Sequence, residues 1–417
     1  MQSTRLANGI RVLSERLPDL TSITVGIWVE NGSRYEQPHQ AGISHFLEHL
    51  FFKGTERRTA AQIAEEIDAV GGVLNAFTGK EYTCYYAKVL HEQLPLALDL
   101  LADIFTQSRF ASEEIDRERS VIIQEISQVE DTPDDYVHEL FNLAFWPGHP
   151  LSRPIAGTAQ TVQGLTREDF LRFLDARYRP DRVLIAAAGN LVHQDLVAVV
   201  EGKFNALSGT APLVDGGPPE AHAGVSVHEK PLEQVHLCLG TPGIAQGDAE
   251  RYPAHLLNLA LGGGMSSRLF QEIRERRGKA YTVYSFLSSY LDAGYFGVYV
   301  GTSAEWVREV VEVIRAELAR AAGDGLSVAE LARVKQQMKG SMLLGLETSD
   351  SRMSRIAKNE IYFGRNVPIE EVAARIDAVQ NDEVVSVAQR LFRAGGLALT
   401  VLGDPKGEPL GNEVLAG

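Results

Sequence analysis

The 417 residues are 44% hydrophobic and 23% charged, the composition of an ordinary globular protein, and the length suits two or three domains. A net charge of −15 argues against nucleic acid or an anionic membrane surface as partner and is compatible with cationic substrates. No apolar run approaches the roughly 18 residues of a spanning helix, and the first residues carry no apolar signal core, so the expected location is cytoplasmic.

Asn8-Gly9 is a hairpin turn signal that leads into strands over 10–14 and 23–29, the second ended by Asn31-Gly32-Ser33. Residues 42–52 then carry the pattern H-x-x-E-H among apolar neighbours with no Pro, which reads as a helix. There His45 and His49 are i and i+4, so both imidazoles share one face and can share a metal ion. Glu48 flanks that face and suits a general base acting on water at the metal. The alternative is two core histidines beside a solvated Glu. A catalytic zinc needs a third protein ligand and an open position, so the third ligand decides between them.

Thr59 can cap a helix striped by Ile63, Ile67 and Val70 and stopped at Gly71-Gly72. Strands over 74–78 and 82–89 follow, then a helical stripe of Leu94, Leu98, Leu101 and Phe105. The next helix starts at the cap residue Ser112, with Glu113, Glu114 and Asp116 in its first turn. Ile115, Ile122 and Val129 recur on one face every seven residues, and Glu118 and Glu125 fall on that same face. Carboxylates on an apolar stripe are costly to bury without a partner, and a bound cation would be one. Glu125 is therefore the candidate third ligand, and Glu118 a carboxylate that orients a ligand or the water. An exposed acidic pair on an amphipathic helix is the alternative.

Pro133 ends this helix, and another over 134–145 presents Asp135 and Glu139 at i, i+4. A helix over 166–178, an apolar strand over 183–188 and a helix over 196–204 follow. Residues 208–224, rich in Gly, Pro, Ala and Ser, mark a linker. The second half then repeats the first: 379–404 matches 165–190, and 225–231 echoes 12–18, at an offset of 213 or 214 residues. The chain is a duplicated α+β protein with domains over 1–210 and 225–417 and a linker over 211–224. At the place of the His45–His49 helix the second copy has Leu256-Leu257-Asn258-Leu259-Ala260-Leu261, with no ligand set, so a metal belongs to the first copy alone. His91, His138, His149, His193 and His255 have no partner at ligand spacing and read as surface or capping residues. Gly262-Gly263-Gly264 reads as a loop entering a helix over 266–277. Cys84 and Cys238 are too few for a disulfide framework and read as small buried residues.

Together these residues resemble the pitrilysin/insulinase family of zinc peptidases, in particular its short two-domain members, such as the catalytic subunit of mitochondrial processing peptidase and its bacterial relatives. The family's H-x-x-E-H is followed at a distance by a Glu with another Glu seven residues before it. His45, Glu48, His49, Glu118 and Glu125 match that set, with 75 residues between His49 and Glu125. The resemblance implies two duplicated domains, each a mostly antiparallel β-sheet packed with helices. It implies one Zn2+ per chain on His45, His49 and Glu125, with Glu118 beside them and Glu48 as base and then acid. The strand over 74–78 resembles the family's edge strand, which pairs with the substrate backbone, here through Asn75, Ala76 and Phe77. Arg274 and Tyr281, seven apart, resemble a pair that touches substrate carbonyls from the opposite half of the molecule, with Tyr281 helping to stabilise the oxyanion. In a two-domain chain that half would come from a partner, which implies a homodimer or a heterodimer with a homologous subunit. Asp135 and Glu139 stand where the processing-peptidase subunit has acidic residues that hold a substrate Arg, with Asp in place of Glu at the first. The implied function is a zinc-dependent endopeptidase that hydrolyses short or unfolded peptides in a closed chamber. A non-catalytic scaffold subunit of such a complex is the rival, and this chain keeps every motif residue that such subunits usually lose.

Overall fold

The computed structural model describes residues 1–212, 216–393, 395–406 and 410–415, so residues 213–215 of the expected linker lie outside the described residues. Strands β1 (Gln2–Arg5) and β2 (Arg11–Arg16) form the hairpin signalled by Asn8-Gly9, where Gly9 takes a φ of +105°. With β3 (Ser22–Val29), β4 (Val73–Thr78), β5 (Thr83–Leu90) and β6 (Val183–Gly189) they make one sheet in the order β1-β2-β6-β3-β5-β4. A second sheet is built from β7 (Gly224–His228), β8 (Val235–Pro242), β9 (Ala280–Ser289), β10 (Gly294–Thr302) and β11 (Ala398–Leu402), in the order β7-β11-β8-β10-β9. All pairs are antiparallel except β2–β6 and β7–β11. Without β1 the two orders match strand for strand, so the duplication is visible in the topology. The fold is α+β, as expected. β1 itself was not signalled, because four mostly exposed polar residues carry no apolar alternation.

The first half also forms α1 (Ile43–Leu50), α2 (Ala60–Asp68), α3 (Leu94–Gln107), α4 (Ser112–Glu130) and α5 (Pro133–Phe145). Thr59 caps α2, with Gln62 returning the bond to form a capping box. Alternation along β3 sends Ile23, Val25, Ile27 and Val29 into a core shared with Phe46, Leu47 and Leu50 of α1 and Leu98 and Leu101 of α3. The opposite face of that sheet presents Leu13, Trp28, Cys84, Leu184, Ala186 and Ala188. It is covered by the helix Ser349–Phe363 through Met353, Ile356 and Ala357, and Trp28 Nε1 donates to Met353 Sδ at 3.0 Å.

That helix comes from the second half of the sequence, and α5 makes the reciprocal exchange. Its Val137, Phe141 and Phe145 pack on Cys238, Tyr295, Tyr299, Ala398 and Leu402 of the second sheet. The compact units are therefore discontinuous. One contains Met1–Gln128, Arg153–Gly216 and Leu344–Asn366; the other contains Val129–Ser152, Gly217–Leu343 and Val367–Gly417. This differs from a division at the linker, because an apolar stripe shows that a helix packs without showing on which sheet.

Two local readings change. His193 is not a surface residue: it is buried, with Nε2 at 2.9 Å from the Thr4 hydroxyl and Nδ1 at 2.8 Å from the Ser14 hydroxyl, and so ties β1 to β2. The helix expected over 266–277 is a π-helix over Phe270–Arg276. Cys84 and Cys238 are buried free thiols. Among the described residues no helix is long and apolar enough to cross a membrane.

Met353 is 1% exposed, so Met353→Ala should cost about 2–4 kcal/mol, read as a lower urea midpoint; an unchanged midpoint would mean that the exchanged helix does not stabilise the first unit.

Candidate metal centre

The start of α1 sets the site. Gly42 caps the helix with a φ of +96° and offers no side chain to the exposed amides of the first turn. The carboxylate of Glu36 takes that role from upstream: Gly42 N donates to Oε2 and Ser44 N to Oε1, both at 2.8 Å. Burial pushes the Glu36 carboxyl up to about 7, against those bonds and the nearby Arg153. A Cβ on Gly42 would stand 2.5 Å from the Ala156 carbonyl oxygen, so the close approach as well as the φ calls for glycine.

Anchored in this way, α1 buries Ile43, Phe46, Leu47 and Leu50 and turns His45, Glu48 and His49 outward together. His45 and His49 ring centroids are 4.8 Å apart. From α4, Glu125 Oε2 lies 3.8 Å from His45 Nε2 and 3.7 Å from His49 Nε2. Among the described residues this is the one trio whose ligand atoms all lie within 4.8 Å of one another. Tetrahedral zinc, with bonds of about 2.1 Å, sets ligand atoms about 3.4 Å apart, so two imidazoles and a carboxylate at these spacings fit it with a small closure.

Glu118 fixes the tautomer. Its Oε2 accepts from His49 Nδ1 at 3.1 Å, which leaves the Nε2 lone pair facing Glu125. Glu118 is buried, and Lys53 Nζ, 2.8 Å from its other oxygen, compensates the charge. Among the described residues, the buried His45 Nδ1 has no hydrogen-bond partner. Burial, and then the neighbouring His49, lower the His45 pKa to about 4, so at neutral pH the imidazole is uncharged. The Glu125 side chain is 42% exposed, so the trio opens to solvent on the α4 side. Burial raises the Glu48 carboxyl above its ordinary range. A bond from the Thr78 hydroxyl and the nearby His49 lower it, and Glu125 raises it.

Thr78 ends β4, the outermost strand of its sheet. Asn75 is exposed, and its side-chain oxygen accepts from the Ala76 N–H at 2.8 Å. The Phe77 ring packs edge-on against Trp28 at 5.4 Å, on the face covered by the helix Ser349–Phe363.

The remaining candidates lie in the second unit. Arg274, in the π-helix, is sandwiched by the rings of Phe270 at 4.8 Å and Tyr281 at 4.7 Å, and Tyr281 is 74% exposed. Asp135 and Glu139 lie one turn apart on α5, and Asp135 is exposed. Sequence reasoning missed the side-chain parts played by Thr78, Lys53, Glu36 and Phe270. Lys53, four residues after His49, and Phe270, four before Arg274, carried a faint signal of spacing; Thr78 and Glu36 meet their partners only through the folded chain.

A family model described as insulinase, peptidase family M16, matches residues 11–159, and one described as the peptidase M16 inactive domain matches 164–338. The chain is 43% identical to a Bacillus subtilis protein named uncharacterized zinc protease YmxG, over 92% of this chain and 94% of that protein. It is 44% identical to an uncharacterized zinc protease of Streptomyces coelicolor, over 93% of this chain and 86% of that one. A solved protease from Helicobacter pylori has the same fold, with a TM-score of 0.90 at 23% identity over 97% of this chain and 99% of that chain.

Glu118→Gln should weaken zinc binding about 10- to 100-fold in a chelator competition; an unchanged affinity would mean that helix packing alone orients His49.

Proposed function

The chain belongs to the insulinase family, peptidase family M16, and on that premise we propose that it is a zinc-dependent endopeptidase hydrolysing peptide bonds in short or unfolded polypeptides. The observation that carries this reading is the convergence of His45, His49 and Glu125 beside a largely buried Glu48. One zinc ion per chain on those three residues would acidify a water molecule and polarise the scissile carbonyl. Glu48 would accept the proton of the attacking water and return it to the leaving amine. Glu118, backed by Lys53, would keep His49 in its ligand tautomer.

The free edge of β4 supports a polypeptide substrate. An extended chain pairing there would displace the Asn75 side chain from the Ala76 N–H and take that bond itself. Arg274 and Tyr281 would contact substrate carbonyls, supplied in a dimer by the partner, with itself or a homologous subunit, to close a chamber around the substrate. The stacked guanidinium of Arg274 is suited to this because few of its rotamers remain to be fixed. The exposed Asp135 and the half-buried Glu139 would favour a basic residue near the cut, in keeping with the net charge of −15.

The deciding experiment is mass-spectrometric analysis of a peptide mixture incubated with zinc-loaded wild type and with Glu48→Gln. Wild type should cleave, and the variant should be slower by at least about 100-fold while keeping its zinc. Stoichiometric zinc with no cleavage by either would favour a scaffold subunit. Replacing both Asp135 and Glu139 by Lys should lower kcat/KM about tenfold more for Arg-containing peptides than for neutral ones. Equal losses would discard the basic subsite.

A further inference from the structure

Thr78 joins two parts of the site that are otherwise separate. It is the last residue of β4 and pairs with Thr83 of β5. Strand alternation puts Ala76 and Thr78 on the face opposite Phe77, the face on which Leu74 and Ala76 pack against the core shared with α1. From there the Thr78 hydroxyl donates to Glu48 Oε2. Among the described residues no other group hydrogen-bonds the Glu48 carboxylate. A Glu side chain has three rotatable bonds. Without that contact its carboxylate could turn away from the metal-binding face, while the helix would still hold its backbone in place.

We propose that Thr78 is a positioning residue for the base. Its hydroxyl holds Oε2 of Glu48 and leaves Oε1 for the proton of the attacking water. Because Thr78 also closes the edge strand, a substrate pairing along β4 is seated on the same strand that orients the base. This rests on the zinc-peptidase reading given above. The contribution is geometric: a base displaced by about 1 Å from its working position commonly loses about a hundredfold in rate.

The test uses the zinc-loaded full chain and a fluorogenic peptide chosen from the wild-type cleavage products, with kcat, KM, zinc content and thermal midpoint measured together. Thr78→Val keeps the β-branched shape that a strand favours and removes only the hydroxyl. It should lower kcat about 10- to 100-fold, leave KM within about threefold and retain the metal. Thr78→Ser should recover most of the loss. Thr78→Ala, which adds no methyl group beside Glu48, should reproduce the Val result. A Val or Ala variant with wild-type kcat overturns the proposal. So does a Ser variant no better than Val, or a loss of zinc that accounts for the lost rate. If wild type cleaves and Glu48→Gln does not, those outcomes remove only the role of Thr78. If wild type cleaves no peptide, the peptidase reading and this proposal fall together.

Discussion

The paired grip of the buried Glu36 carboxylate on the first turn of α1 is the contact on which the candidate metal centre depends. The opening amides of a helix lack partners within it, and Gly42 provides no side chain to meet them. A carboxylate there satisfies two amides at once and sits at the positive end of the helix dipole. The cost is visible in the carboxyl being pushed up to about 7 by burial. What this cost secures is a fixed rotation of α1, and on a helix rotation is everything: a turn of one residue would bury His45 and expose Phe46. The positive φ of Gly42, pressed against the Ala156 carbonyl, holds the same rotation from the other side.

α4 supplies the second half of the site in a graded way. Glu118 and Glu125 share a face two turns apart, yet one is buried and the other half open. The buried one meets two fixed cationic or hydrogen-bonding partners, Lys53 and His49, and has no freedom left. It is suited to orienting a ligand. The open one faces the two imidazoles across a gap that a metal ion fits, with solvent beside it. The same residue type at a seven-residue spacing thus takes two different tasks according to depth along the helix axis.

The residues that share an element were legible in the sequence. Helical spacing put His45 beside His49, the seven-residue repeat put Glu118 and Glu125 together, and the offset of the repeats foretold two sheets of one topology. Contacts between elements were not legible. Nothing in the spacing of Thr78 points to Glu48, and nothing in the polar residue Glu36 points to amides six and eight positions on. Phe77 shows the limit within an element: alternation predicted a strand, but only the register with β5 and the position of Trp28 fixed which way the ring faces. His193 has no partner at ligand spacing and so reads from the sequence as a surface or capping residue. Two hydroxyls from β1 and β2 make its burial tolerable.

The exchange of helices explains why the unit with the candidate metal centre is not a portable module. The face of its sheet carrying Leu13, Trp28, Leu184, Ala186 and Ala188 is apolar at its centre and polar toward its margins, where Thr24 meets Ser349 and Glu15 meets Arg352. Its cover, Ser349–Phe363, arrives from far downstream, and Tyr362 of that helix donates to Glu81, whose other oxygen pairs with the buried Arg34 beside the loop leading to Glu36. A chain cut at the linker would leave that face wet and take the Tyr362 hydroxyl from the buried Glu81, which is costly on both counts. In the second unit, the helix Arg251–Gly262 follows β8 as α1 follows β3, but Leu256, Leu257, Ala260 and Leu261 are buried in its core, and the one candidate metal trio among the described residues takes nothing from it. The duplicated scaffold therefore separates two demands that one sheet could not meet alone: one copy exposes polar donors at a helix face, and the other keeps that helix as packing.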